Sequence, residues 1–197
     1  MLRWQTVAVA YALLGSLAFA LAAVAHHGSP FSHPSPWLAL DPAVRWGTSI
    51  VAGLVLALVL VSSTRLAVRR WKWAQKLHAD LRPVARNLGA STVVAVAVLS
   101  GLGEELFFRG FLSVTIGIWL SSIAFGLLHQ VRGTGRFGWA GSAFAMGLFL
   151  SVLYALTGQL VGCIVAHACV NLVNLQYLRD HDPHPKPRKL GGLLKQS

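Results

Sequence analysis

Six apolar stretches, over about 5–25, 47–64, 88–114, 117–130, 139–156 and 159–178, alternate with polar segments along the chain. A spanning helix needs roughly 20 apolar residues, so the pattern predicts an all-α membrane protein of about six transmembrane helices. The fourth stretch is short. It predicts a helix buried among its neighbours or bounded by a loop that dips inward. The polar stretch 65–86 has a period of its own, because Trp73, Leu77, Leu81, Val84 and Leu88 fall at near-helical spacing. That stripe predicts an amphipathic helix on the inner membrane surface, bent or divided at Pro83. Segment 26–46 holds Pro30, Pro34, Pro36 and Pro42 and should be irregular, and the tail after Tyr177 is polar and Pro-rich. The chain therefore divides into two N-terminal transmembrane helices (1–64), a basic amphipathic segment (65–87), a core of four helices (88–178) and a polar C-terminal tail (179–197). No internal repeat is visible.

Composition removes other classes. Apolar residues make up 55% of the 197 and charged residues 12%, with mean hydropathy +0.60. Disordered chains are poor in apolar residues. The net charge of +11, from 17 basic and 6 acidic residues, would suggest nucleic acid in a polar chain. In this apolar one no nucleic-acid partner is expected. The basic residues instead report orientation. If 65–86, with Arg65, Arg69, Arg70, Lys72, Lys76, Arg82 and Arg86, is cytoplasmic, alternation places both termini and the loop with Arg132 and Arg136 on the same side. Fifteen of the 17 basic residues then lie inside, with Arg45 outside and Arg109 within a span. This implies an integral protein of a bacterial inner (plasma) membrane with both termini cytoplasmic, facing a bilayer with an anionic inner leaflet. Trp4, Trp37, Trp46, Trp71, Trp119 and Trp139 fall at or near segment ends, as an interfacial belt does. Arg3 and Ala23-Val24-Ala25 give the first span a signal-like character, but its apolar stretch is longer than such signals use, which favours a retained helix. Cys163 and Cys169, six apart on one helix, face different ways and cannot pair.

The acids carry the candidate chemistry. Asp41, Asp80, Asp180 and Asp182 lie in polar surroundings, whereas Glu104 and Glu105 are adjacent within an apolar run. A charge at the bilayer centre costs on the order of 3 kcal/mol and marks a functional candidate. Glu105 and Arg109 are i,i+4 in the favourable order and neutralise each other. Glu104, rotated by about 100°, is left free. Ser121, Phe125 and His129 line one helical face, and His167, Asn171 and Asn174 line another. If the chain reverses near Gly117, Glu104 and His129 both lie about 18–20 Å from the turn, and His167 lies about 12–15 Å past the turn near 157–159. A free carboxylate, two imidazoles and an amide at compatible depth suit hydrolysis. Glu104 would act as general base on water, and His129, His167 and Asn171 would hold an oxyanion or donate to a leaving amine. Taken singly, each motif is as well explained by an ion pair, an interfacial histidine or polar contacts between helices. Their convergence favours a site. His26, His27, His33, His78, His181 and His184 are assigned no chemistry.

In order, these motifs resemble the CPBP family, the CAAX proteases and bacteriocin-processing enzymes also called Abi proteins. Glu-Glu-x-x-x-Arg stands at Glu104–Arg109, Phe-x-x-x-His at Phe125–His129 and His-x-x-x-Asn at His167–Asn171. The resemblance covers roughly 88–178, so the four-helix core is CPBP-like. It implies an intramembrane endopeptidase with Glu104 as catalytic base, His129, His167 and Asn171 completing the site, and Glu105, Arg109 and Phe125 supporting it. The substrate would be a membrane-associated protein or peptide. The resemblance favours a glutamic mechanism without a metal cofactor. The alternative is a zinc metalloprotease with Glu104, His129 and His167 as ligands, although no His-Glu-x-x-His motif is present. Two other functions stay open: a non-catalytic scaffold or immunity-type factor, and a small transporter or proton relay. The latter would string its polar groups across the bilayer instead of gathering them in one zone.

Overall fold

The structure, a computed structural model, describes residues 4–25, 28–131 and 135–182. The tail beyond 182, and with it His184, lies outside the described residues, as do His26, His27 and Arg132. Among the described residues the chain forms seven helices: α1 (Trp4–Val24), α2 (Pro42–Arg70), α3 (Lys72–Ala85), α4 (Ala90–Ile116), α5 (Ile118–Leu128), α6 (Arg136–Thr157) and α7 (Val161–Asp180). Five of these, α1, α2, α4, α6 and α7, are long and apolar enough to cross a membrane. The chain is an all-α membrane protein.

Local chemistry places the helix ends. Asp41 caps α2, accepting the Ala43 N–H at 2.8 Å, with Pro42 opening the helix. Gly117, at φ 86°, separates α4 from α5, and Gly158, at φ 72°, ends α6. Both backbones are left-handed, where a Cβ is costly. The reversal expected near Gly117 therefore occurs there. Within α4, Leu106–Leu112 winds as a π-helix, a wider coil that often marks functional positions.

The helices cross on small residues. A Cβ built on Gly53 of α2 would overlap the Gly162 carbonyl of α7, and one on Gly101 of α4 would lie 3.0 Å from the Ala168 N of α7. Gly103 of α4 lies against Tyr11 of α1, and Gly126 of α5 against Ala140 and Phe144 of α6. Without a hydrophobic drive between helices in lipid, such backbone approach supplies the packing energy. The two N-terminal helices are thus packed into the bundle, α1 on α4 and α2 on α7.

The two ends of the bundle differ. At one, segment 28–40 folds back over the turn at 154–160. The His33, Trp37 and Leu38 N–H groups donate to Gly158, Ala155 and Leu156, the Leu160 N–H donates to Phe31, and the Tyr154 hydroxyl donates to the Pro30 carbonyl at 3.0 Å. The expected irregular loop is a backbone-bonded cap. At the other end α3 packs beneath α6 and α7, with Leu77 against Gly135 and Trp73 against Gly138.

Four expectations change. The fourth stretch is buried on one face only: Ser121, Ser122, Phe125 and Gly126 pack inside, while Trp119, Leu120, Ile123, Leu127 and Leu128 are exposed. Its 11 residues reach about 16 Å, roughly half a hydrocarbon core. The basic segment is not one surface helix. It continues α2 to Arg70, breaks at extended Trp71 (φ −121°) and resumes as α3. Pro83 sits in the last turn of α3 and does not divide it. The stripe also splits, because α3 buries Ala74, Leu77, His78 and Ala85 while Trp73 and Val84 are exposed. Both cysteines are free, and Cys163 is buried with its thiol on the Leu150 carbonyl.

Candidate active site

Glu104 and Glu105 end the regular turn of α4, just before the π segment begins. Adjacent positions on a helix point about 100° apart, and the two carboxyls accordingly meet different partners. Glu105 is fully buried. One oxygen, Oε1, accepts from Arg109 Nη1 at 2.7 Å and from His167 Nδ1 at 2.6 Å. The i,i+4 pair is as expected from the spacing. The link to His167 is an addition that spacing did not supply, since it joins α4 to α7. Arg109 is likewise buried. Its guanidinium lies 4.4 Å from the centre of the Phe125 ring, so an aromatic face shares the charge.

Glu104 lies in the opposite situation. Its Oε2 is 3.6 Å from His129 Nε2 and 3.9 Å from His167 Nε2, beyond hydrogen-bond length, and has no hydrogen-bond partner. Both imidazoles are held from behind. His129 Nδ1 lies 2.7 Å from the Phe125 carbonyl, which only accepts, so Nδ1 carries the proton. His167 Nδ1 faces the Arg109-bound carboxylate of Glu105, which fixes the same tautomer. The two Nε2 atoms therefore converge on one carboxylate oxygen, available to accept or pass a proton.

Phe125 packs edge-on against Phe108 (4.8 Å between ring centres) and lies 4.2 Å from the His129 ring. His129 forms the C-terminal end of α5, so the short helix itself places this imidazole at the depth of Glu104. Ser121 fixes the same helix to the π segment, its hydroxyl donating to the Phe108 carbonyl at 2.9 Å.

The structure thus gathers Glu104, Glu105, Arg109, Phe125, His129 and His167. Asn171 sits one turn beyond His167, but its amide donates to Ser100 Oγ at 2.9 Å, one turn before Glu104. Asn174 faces elsewhere, accepting from Arg65 and Thr64 of α2. Arg65, whose guanidinium also covers the Tyr177 ring at 3.7 Å, is an interhelical contact. For a metal, tetrahedral ligation at about 2.1 Å would put donor atoms about 3.4 Å apart. The donors here are more widely set, and among the described residues no group of three or more His, Cys, Asp or Glu is arranged to hold a metal ion.

One neighbour escaped the sequence reading. Tyr11 of α1 lines, with Leu14, Glu104, Phe107, Phe108, Leu128 and His129, a cleft of about 310 Å³ between α1, α4 and α5. The signal was present, since a phenol within an apolar span needs a polar partner.

Residues 86–173 match the family model described as type II CAAX prenyl endopeptidase, Rce1-like. This stretch, a little under half of the chain, is similar to that CAAX-protease family. The gathered residues, from Glu104 to His167, and Asn171 all lie within the matched segment, whose likeness supports a CAAX-type intramembrane protease fold. The uncharacterized protein YpbD of Bacillus subtilis (strain 168) is 26% identical over 164 residues, covering 78% of this chain and 82% of its own. No solved structure matches.

Proposed function

We propose that the protein is an intramembrane endopeptidase that hydrolyses a peptide bond in a membrane-associated protein or peptide. The observation that carries this reading is the unpartnered Glu104 oxygen set between two backed Nε2 atoms. Glu104 takes a proton from a water molecule, and the resulting hydroxide adds to the scissile carbonyl. The proton passes from Glu104 to Nε2 of His129 or His167, and the imidazolium so formed stabilises the oxyanion and delivers that proton to the leaving amine as the C–N bond breaks. Glu105 and Arg109 hold His167 in register. Asn171 braces α7 on α4 through Ser100. The mechanism proposed needs no metal. Activity that survives exhaustive chelation supports it, and loss restored by zinc refutes it.

The cleft beside Glu104 is bounded by lipid-facing Leu128, and the 28–40 cap covers one end of the bundle. Substrate entry is therefore proposed from the bilayer side or from the end that carries α3. Placing that end in the cytoplasm of a bacterial inner membrane sets the basic residues of α3 against anionic lipid, worth about 1 kcal/mol each near the surface.

The test is Glu104→Gln in the full chain. Cleavage should disappear while expression and melting temperature hold. Comparing protein termini in cells carrying wild type or Glu104→Gln would name the substrate. A phenotype that survives substitution of Glu104, His129 and His167 would indicate a non-catalytic scaffold or immunity-type role.

A further inference from the structure

Tyr11 belongs to α1, outside the segment that matches the family. Its position is set by glycine. A Cβ on Gly103 would lie 2.7 Å from the Tyr11 carbonyl oxygen and 3.2 Å from the Tyr11 Cβ, and Gly15, one turn along α1, meets the side chain of Leu106. Only a bare backbone at 103 lets α1 approach so closely, and it does so next to Glu104. The phenol is thereby set beside the Glu104 carboxyl, close enough for the two to interact. On one side it lines the cleft shared with Glu104 and His129. On the other it borders an apolar groove with Gly15, Leu99, Leu102 and Leu106. A hydroxyl in a spanning helix is cut off from bulk water and needs a protein partner, and a carboxylate is the strongest acceptor beside it.

We propose that Tyr11 is a positioning residue of the active site, supplied by the first helix: its hydroxyl donates to the Glu104 carboxylate and keeps it turned toward His129 and His167. The inference rests on Glu104 being the base. It assigns α1 a part in the chemistry and makes the Gly103 contact the device that brings the part into place.

The test uses the full chain in liposomes and the variant Tyr11→Phe, which keeps the ring and its packing. The infrared carboxyl band of Glu104 is identified by its loss in Glu104→Gln. In Tyr11→Phe that band should shift, and an unmoved band overturns the proposal whatever the substrate. With a quenched-fluorescent farnesylated peptide ending in a CAAX sequence as probe, kcat should fall about 10-fold or more, the worth of one hydrogen bond to a charged group. KM and melting temperature should stay unchanged. Wild-type kcat in Tyr11→Phe, or a loss that tracks a lowered melting temperature, also overturns it. Full activity in Glu104→Gln defeats the base assignment instead, and the infrared arm still decides whether the contact exists.

Discussion

Glu104 and Glu105 are neighbours in sequence, and the same substitution should do opposite things at the two positions. Glu105→Gln removes the negative charge that Arg109 Nη1 and His167 Nδ1 share through one oxygen. Two charge-assisted hydrogen bonds, each worth about 1.5–3 kcal/mol, become weaker neutral ones. The Arg109 guanidinium, fully buried and with Nε and Nη2 already lacking partners, loses its counter-charge. Breaking a buried pair from one side costs about 3–5 kcal/mol. On the scale of about 2–4 °C per kcal/mol for a chain of this size, melting in detergent should fall by roughly 10 °C. Glu104 Oε2 has no hydrogen-bond partner to lose, and the amide of Glu104→Gln keeps the side chain's size and an oxygen for the Tyr11 hydroxyl, so melting should stay within about 2 °C of wild type while activity vanishes. Differential scanning fluorimetry on both variants, with a cleavage assay beside it, checks the contrast. Equal stability losses at the two positions, or a Glu105→Gln variant as stable as wild type, would refute the division of labour.

Three further outcomes follow from the packing. Gly53→Val should cost several kcal/mol, because its first carbon already overlaps the Gly162 backbone, and a proteolysis or melting assay reads it. Tyr154→Phe deletes the bond to Pro30, should cost about 1 kcal/mol, and should raise hydrogen exchange in segment 28–40 above wild type. His78, on α3, has its proton affinity lowered below the ordinary 6.5, first by burial and then by His181, Arg65 and Arg82 nearby, against the opposing bond from its Nε2 to the His181 carbonyl. The unfolded chain therefore binds the extra proton first, so α3 docking is complete above about pH 6.5 and weakens as pH falls below it. Exchange of α3 amides at pH 7.5 and 5.5 measures this, and His78→Gln should flatten the difference.

Much of the architecture is legible in one dimension. Hydropathy located the spans to within a few residues, apart from α2, whose ends at Pro42 and Arg70 run past the apolar stretch 47–64. Hydropathy reports the part that meets lipid, while backbone hydrogen bonding continues until Trp71 turns extended. The stripe on α3 was read as lipid-facing, but Leu77 and His78 turn toward α6 and α7, because period alone does not say which apolar surface a face will meet. The Glu105–Arg109 pair was legible because i,i+4 contact is local. His167 joining Glu105, and Asn171 joining Ser100, were not, since neither contact has a sequence spacing that reports it.

The sequence by itself determined that this is an oily, all-helical chain with a basic bias, that two acids sit where a membrane makes charge expensive, and that its motifs belong together. Those conclusions follow from composition and from helical period, which need only nearest neighbours along the chain. Tertiary structure alone decided which histidine nitrogen faces which carboxylate, that α5 is short enough to end at the site, and that α1 brings Tyr11 to Glu104. Each of these depends on how closely two backbones approach, and that distance is set by the glycines at the crossings once the helices meet.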